Sequence, residues 1–176
     1  IGGGSRPPEL LEDLLNTSGV RDEGYILVLP MSSANRDTGA FYALRQFRRL
    51  GIPEAQLIAF TSDPKTWNAG QIDSIARARL IYLPGGVQTR FMAAIEGTGV
   101  REALHRAYSN GATIAGTSAG AAVMSTRMLT GDEKKHPEYT GYFRTIEADN
   151  MILEPGLGLL PDGIVDQHFV RRMRMN

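Results

Sequence analysis

Four short and almost purely apolar runs alternate with amphipathic segments, and this alternation constrains the fold of the chain more than any other feature. The runs lie at residues 25–29, 57–60, 80–83 and 112–115. Continuous apolar runs of this length are typical of strands in a parallel sheet that is covered on both faces. The sequence therefore predicts an α/β fold with a mostly parallel sheet and right-handed crossover connections.

The segments between the strands carry helix start and stop signals. A helix is predicted from Pro7 to about residue 17, and a second one is predicted to be capped by Thr38 and to end at Gly51. Two more are expected over residues 69–79 and 100–109, whereas residues 131–150 are polar and predict a surface excursion. We interpret residues 1–176 as a single domain that is truncated at both ends. The first residues resemble the end of a strand whose beginning is missing.

Composition narrows the classes of function. The 176 residues include 19 basic and 19 acidic side chains, so the basic excess of a nucleic-acid-binding protein is absent. There is no cysteine, which excludes disulfides, thiolate metal sites and a cysteine nucleophile. No apolar run is long enough to predict a membrane span. The compartment stays open, with the cytoplasm slightly favoured and export not excluded.

The sharpest local motif is a Gly-x-Ser-x-Gly sequence centred on Ser118, which follows a short apolar strand and precedes a helical pattern that extends to Met128. This is the context of a nucleophile elbow, where a tight turn exposes one side chain and needs small neighbours. The turn would also direct the Ala119 N–H towards a developing oxyanion. The alternative is a turn of small residues with an ordinary capping serine.

A second motif, Pro84-Gly85-Gly86-Val87-Gln88, directly follows the strand at residues 80–83. Loops after neighbouring parallel strands meet at the carboxyl edge of a sheet, where ligands bind. The bare amides of Gly85 and Gly86 could supply a second oxyanion donor. The alternative is a plain turn that is followed by a solvent-facing Gln88.

The third motif is Asp166-Gln167-His168, which follows an apolar pair expected to end a strand. Of the three histidines, His168 is best placed to serve as the base for a serine nucleophile. Arg172 and Arg174 follow and could clamp a substrate carboxylate by bidentate bonds. A structural histidine and a solvated basic tail are the alternatives.

The glycine run at the start of the chain does not predict nucleotide binding. A dinucleotide fingerprint needs glycine at the last spaced position after Gly2-Gly3-Gly4, and Pro7 stands there.

Together these motifs resemble the cyanophycinase family of serine peptidases, peptidase family S51. The resemblance covers most of the chain, from the Ile-Gly-Gly-Gly start, through the Gly85-Gly86-x-Gln88 and Gly-Thr-Ser-Ala-Gly strings, to residues 166–174. It implies a three-layer α/β/α fold like that of class I glutamine amidotransferases, which is flavodoxin-like. It also implies an exopeptidase that releases β-Asp-Arg dipeptides from cyanophycin, whose backbone aspartates each carry an arginine, and it suggests a homodimer.

By motif position the resemblance implies that Ser118 is the nucleophile and His168 the general base, with no metal or organic cofactor. The substrate pocket would comprise Gln88, Asp166, Gln167, Arg172 and Arg174. Such a pocket suits a zwitterionic peptide, since Asp166 could bind a guanidinium and the two arginines could bind carboxylates.

The sequence departs from the family pattern at its end. The family places the acid that orients the histidine beyond the Asp-Gln-His string, and this sequence ends at Asn176. Glu154 and Asp162 precede His168, but nothing in the sequence ties them to it. An aspartyl dipeptidase and a catalytically inactive binding domain of the same fold remain alternatives.

Overall fold

The computed structural model describes residues 2–4, 6–138 and 148–168. Its centre is a four-stranded sheet formed by β1 (Ile26–Val28), β2 (Leu57–Ala59), β3 (Leu80–Leu83) and β4 (Thr113–Gly116). The strands are all parallel and lie in the order β2-β1-β3-β4. Each predicted apolar run forms a strand, so the predicted α/β fold with a mostly parallel sheet is confirmed.

Helices cover both faces of this sheet, because alternate strand residues present apolar side chains to each side. They are α1 (Pro8–Ser18), α2 (Arg36–Arg49), α3 (Ala69–Arg77), α4 (Gln88–Ile95), α5 (Val100–Ser109) and the short α6 (Ala119–Ala122). Leu15 of α1 and Phe47 of α2 pack with Tyr82 on one face. Ile75, Phe91 and Leu104, from α3, α4 and α5, pack on the other face. The result is the expected three-layer α/β/α arrangement.

The cap of α2 differs from the prediction. The N-cap is Asn35, whose side chain accepts a hydrogen bond from the backbone N–H of Thr38 at 2.9 Å. Thr38 therefore lies within the first turn, because an amide oxygen three residues upstream satisfies its N–H. The helix ends at Arg49, and Gly51 follows with a φ of 79°.

The chain after Ser118 also differs from the prediction. Only Ala119–Ala122 is helical, and a strand β5 (Arg127–Glu133) begins soon afterwards, with Met128 buried in it. Strand β5 pairs antiparallel with β6 (Met151–Pro155). The expected polar excursion therefore begins as a hairpin, and residues 139–147 lie outside the described part of the chain.

The order of the strands determines where a ligand can bind. In an open parallel sheet, the crevice lies at the carboxyl ends of strands whose connections leave in opposite directions. Here β1 and β3 are neighbours, and β2 and β4 flank them. The Gly85-Gly86 loop after β3 and Ser118 after β4 therefore reach the same edge. Within the described residues, no helix combines the length and the apolar character needed to span a membrane.

Candidate active site

Ser118 occupies a sharp turn between β4 and α6 and has φ 55° and ψ −118°. A positive φ is uncommon for a residue other than glycine, and holding one costs on the order of 1–3 kcal/mol. The conformation is that expected of a nucleophile elbow, in which the backbone is bent so that one side chain stands above the sheet.

Two glycines make the bend possible. A Cβ at Gly116 would overlap the carbonyl group of Gly120, and a Cβ at Gly120 would overlap the carbonyl group of Leu83. The N–H of Thr117 donates to the Leu83 carbonyl at 3.1 Å, so the turn is tied to β3. The small residues around Ser118 are therefore required by close backbone contacts.

The side chain of His168 lies directly against the hydroxyl of Ser118. Its Nε2 is 2.8 Å from Ser118 Oγ, although the two residues are 50 positions apart in sequence. This distance is within the range needed for proton transfer from a serine to a general base.

Gln167 contacts the same hydroxyl. Its Oε1 lies 2.8 Å from Ser118 Oγ, and its side chain is buried. A hydroxyl carries one proton, so Ser118 can donate to His168 or to Gln167 but not to both. Donation to His168 leaves the Ser118 oxygen free to accept a bond from the amide NH₂ of Gln167 in the reverse amide orientation.

The segment that brings Gln167 and His168 to the site is irregular. The expected strand before Asp166 is absent, since residues 163–167 form no strand. Val165 is held instead by a bond from its N–H to Ser125 Oγ, at 2.9 Å. Consecutive side chains of an extended strand point to opposite sides. His168 has a φ of 56°, and this turn allows both neighbouring side chains to reach Ser118.

The glycine run near the start of the chain packs on His168. The N–H of His168 donates to the Gly2 carbonyl at 3.0 Å. Gly3 has a φ of 112°, and a Cβ there would lie 2.7 Å from His168 Nε2. Sequence reasoning rejected this run as a nucleotide site and missed its place beside the imidazole. The glycine run is evident in the sequence, but nothing in the sequence indicates that His168 packs against it.

The Gly85-Gly86 loop lies beside the elbow, as predicted from strand adjacency. A Cβ at Gly85 would stand 3.3 Å from the Cβ of Ser118, and one at Gly86 would overlap the Ser32 carbonyl. Ser33 Oγ donates to the Gly85 carbonyl at 3.3 Å. Among the described residues, no acceptor receives the N–H of Gly85, Gly86 or Ala119.

Gln88 begins α4 and is buried, so the alternative of a solvent-facing side chain is wrong. Its Nε2 donates to the carbonyl of Leu129 at 2.8 Å and to that of Thr130. These bonds join the start of α4 to β5. The amide nitrogen is therefore already engaged by the protein itself. A role of Gln88 in substrate binding stays a prediction.

The remaining predicted pocket residues divide into two groups. Asp166 is partly buried and directly precedes Gln167. Arg172 and Arg174 lie outside the described residues, so their predicted contact with a substrate carboxylate stays a prediction. The two acids weighed as partners of His168, Glu154 in β6 and Asp162, are both exposed.

The other histidines have different surroundings. His105 Nε2 lies 2.8 Å from the carbonyl oxygen of Leu157, and His136 is exposed. In the described part of the chain, no three His, Cys, Asp or Glu side chains gather as metal ligands would. The expectation that the site needs no metal or cofactor stays a prediction.

A strained serine, an adjacent imidazole and a glycine loop lie together at one edge of the sheet. A sequence model described as peptidase family S51 matches residues 2–176. The chain belongs to peptidase family S51.

Curated relatives of the chain are named cyanophycinase. The protein from Trichormus variabilis is 29% identical over 168 residues, which is 95% of this chain and 53% of the relative. The protein from Synechococcus elongatus is 31% identical over 157 residues, covering 87% of this chain and 45% of the relative. The chain thus spans about half the length of these curated relatives.

A solved structure supports the fold. The crystal structure of a peptidase from an acI-B1 Actinobacterium superposes with a TM-score of 0.71 at 20% identity. The match covers 99% of this chain and 68% of the other. This S51 chain therefore has the same flavodoxin-like architecture as that peptidase.

Proposed function

We propose that this protein is a serine-type exopeptidase that hydrolyses β-aspartyl-arginine polymer to β-Asp-Arg dipeptides. The observation that carries the proposal is the 2.8 Å contact between Ser118 Oγ and His168 Nε2. Family membership and the naming of curated relatives as cyanophycinase support the substrate class. A related aspartyl dipeptidase and an inactive binding domain are the alternatives.

The proposed reaction is acyl transfer in two steps. Ser118 Oγ attacks the scissile carbonyl carbon while its proton passes to His168 Nε2. The tetrahedral intermediate collapses when the protonated His168 gives that proton to the leaving amine. Water then attacks the acyl-enzyme, with His168 as base, and releases the acid product and free Ser118.

Backbone amides would stabilise the oxyanion. The N–H of Ala119 follows the nucleophile directly, and Gly85 lies against the Ser118 side chain. Their amide hydrogens and that of Gly86 have no acceptor among the described residues, which supports their assignment as oxyanion donors. Loss of one such donor typically reduces kcat by ~10²–10³-fold.

The substrate pocket is proposed to comprise Gln88, Asp166, Gln167, Arg172 and Arg174. The contact of Gln167 with Ser118 supports a position beside the scissile bond. Asp166, one residue earlier, would accept bonds from the substrate guanidinium, and Arg172 and Arg174 would bind its carboxylates. A homodimer stays a prediction.

The test compares the full-length protein with Ser118→Ala on β-Asp-Arg polymer, with release of dipeptide measured by chromatography. We expect dipeptide from the wild type and at least a ~10³-fold lower rate from the variant. Equal rates would contradict the assignment of Ser118. Faster hydrolysis of Asp-X dipeptides than of polymer would favour an aspartyl dipeptidase.

A fluorophosphonate probe separates an enzyme from a binding domain. The probe labels a serine whose hydroxyl is activated by a base, so we expect labelling of the wild type at Ser118. An unlabelled but folded full-length protein would favour the inactive binding domain.

A further inference from the structure

The segment that packs on His168 continues to a charged side chain on the same edge of the sheet. Gly2 accepts a bond from the N–H of His168, and Gly3 lies under its imidazole. Arg6 follows three residues later, just before α1. Gly2, Gly3 and Arg6 thus lie on one side of the proposed site.

Arg6 reaches the residue that precedes Ser118. Its Nη1 donates to Thr117 Oγ1 at 3.3 Å, and its Nε donates to Gln46 Oε1 at 2.6 Å. Consecutive Cα atoms are ~3.8 Å apart, so the guanidinium lies within the reach of a dipeptide bound at Ser118. The cation is therefore placed to meet the part of the substrate nearest to the scissile bond.

The charge of Arg6 has no anionic partner in the described part of the chain. Both of its acceptors are neutral, and none of the carboxylates described lies within ion-pair distance of it. Its side chain is partly buried, where an unpaired charge costs more than it would in open solvent. Arginine has five N–H groups, and two of them are used by Thr117 and Gln46.

The side chain of Tyr82, in β3, is close enough to Arg6 to be influenced by its positive charge. Its phenol oxygen is buried without a hydrogen-bond partner among the described residues. Burial raises the pKa of Tyr82, and the positive charge of Arg6 opposes that rise. The hydrogen bond to Thr117, which directly follows β4, places the guanidinium at the carboxyl end of that strand, where Ser118 also lies.

We propose that Arg6 binds a carboxylate of the substrate peptide and so determines specificity for peptides with a carboxylate close to the scissile bond. The proposal rests on the proposed function of the same site. The planar guanidinium can form two parallel bonds to a carboxylate, which a lysine cannot reproduce.

The test measures binding, so that it does not depend on turnover. Full-length protein with Ser118→Ala is titrated by calorimetry with β-Asp-Arg and with the same dipeptide in which both carboxylates are carboxamides. We expect the dicarboxylate to bind more tightly. Adding Arg6→Gln should weaken its binding by ~10–100-fold, as for loss of a charge-assisted bond, and leave the diamide unchanged.

Two further variants complete the design. Arg6→Lys keeps the charge without the planar fork and should give an intermediate affinity. Arg77→Gln is the matched control. Arg77 lies at the end of α3, where it pairs with Asp73. Since β3 begins just after this point, Arg77 lies at the edge of the sheet opposite to the proposed site. It should leave both affinities unchanged. Thermal unfolding of each variant verifies that it is folded.

The outcomes separate the two proposals. If Arg6→Gln leaves the affinity for the dicarboxylate unchanged, or if the parent protein shows no preference for it over the diamide, the role of Arg6 is overturned. Absence of polymer hydrolysis by the wild type would instead count against the proposed function and leave the binding result to decide about Arg6.

Discussion

Gly3 lies so close to the imidazole of His168 that a Cβ at position 3 would be 2.7 Å from its Nε2. That nitrogen is the atom that contacts Ser118 Oγ. The first described residues therefore determine the space available to the proposed base, which lies at the other end of the described chain.

Gly3→Ala should lower kcat by displacing His168. A shift of ~1 Å in a catalytic group can cost ~10²-fold in rate, so we expect a fall of ~10–100-fold with a smaller change in KM. Gly4→Ala is the matched control. Gly4 has a φ of 84°, a similar left-handed strain, but nothing lies within 4 Å of its Cβ position. Equal kcat values for the two variants would show that the contact with His168 is unimportant.

His168→Gln should reduce hydrolysis and fluorophosphonate labelling by ~10²–10⁴-fold, because it removes the proposed general base. His105→Gln is the control, since His105 contacts the carbonyl of Leu157 instead of Ser118. Steady-state rates and probe labelling would be measured for both. If His168→Gln were labelled as fast as the wild type, the imidazole would not be the activating base.

Gln88→Leu should destabilise the protein, because the carbonyls of Leu129 and Thr130 lose their donor. Unsatisfied buried polar groups cost ~1–3 kcal/mol each, so a fall in Tm of at least ~3 °C is expected for a chain of this size.

Gln71→Leu provides the comparison for Gln88. It removes only the capping bond from the N–H of Asn68 at the exposed start of α3, so its effect should be smaller. Thermal unfolding by circular dichroism measures both variants. If Gln88→Leu unfolds like the wild type and has a raised KM, its amide serves the substrate and not the fold.

Tyr82→Phe should change how stability depends on alkaline pH. Burial raises the pKa of Tyr82, so the unfolded chain ionises first as the pH rises above about 10. The unfolded state then binds fewer protons than the native state, and the free energy of unfolding falls with pH. Phenylalanine removes this contribution, so the loss of stability between pH ~8 and pH ~11 should be smaller in the variant.

At neutral pH Tyr82→Phe should be as stable as the wild type or more stable by up to ~1 kcal/mol, because it removes a buried hydroxyl without a partner among the described residues. Tyr42→Phe, at an exposed position of α2, is the control. Urea unfolding at several pH values measures both variants. An identical alkaline slope for Tyr82→Phe and wild type would contradict the prediction.

The sequence alone determined the features that depend on neighbouring residues. The four apolar runs predicted the parallel strands, since a strand buried on both faces needs continuous apolar side chains. The small residues from Gly116 to Gly120 predicted the elbow, because only such residues fit a bend so close to β3. The Gly85-Gly86 loop was predicted to lie at the same edge as Ser118, because loops that follow neighbouring parallel strands meet at the carboxyl edge of the sheet.

Only the tertiary structure decided which distant groups meet. The φ of 56° at His168 depends on where its segment is held, by Ser125 and by Gly2, and not on local apolar pattern. The burial of Gln88 against β5 and the approach of Arg6 to Thr117 likewise join residues 41 and 111 positions apart. Contacts of this kind arise from packing of the whole chain, so no local sequence signal specifies them.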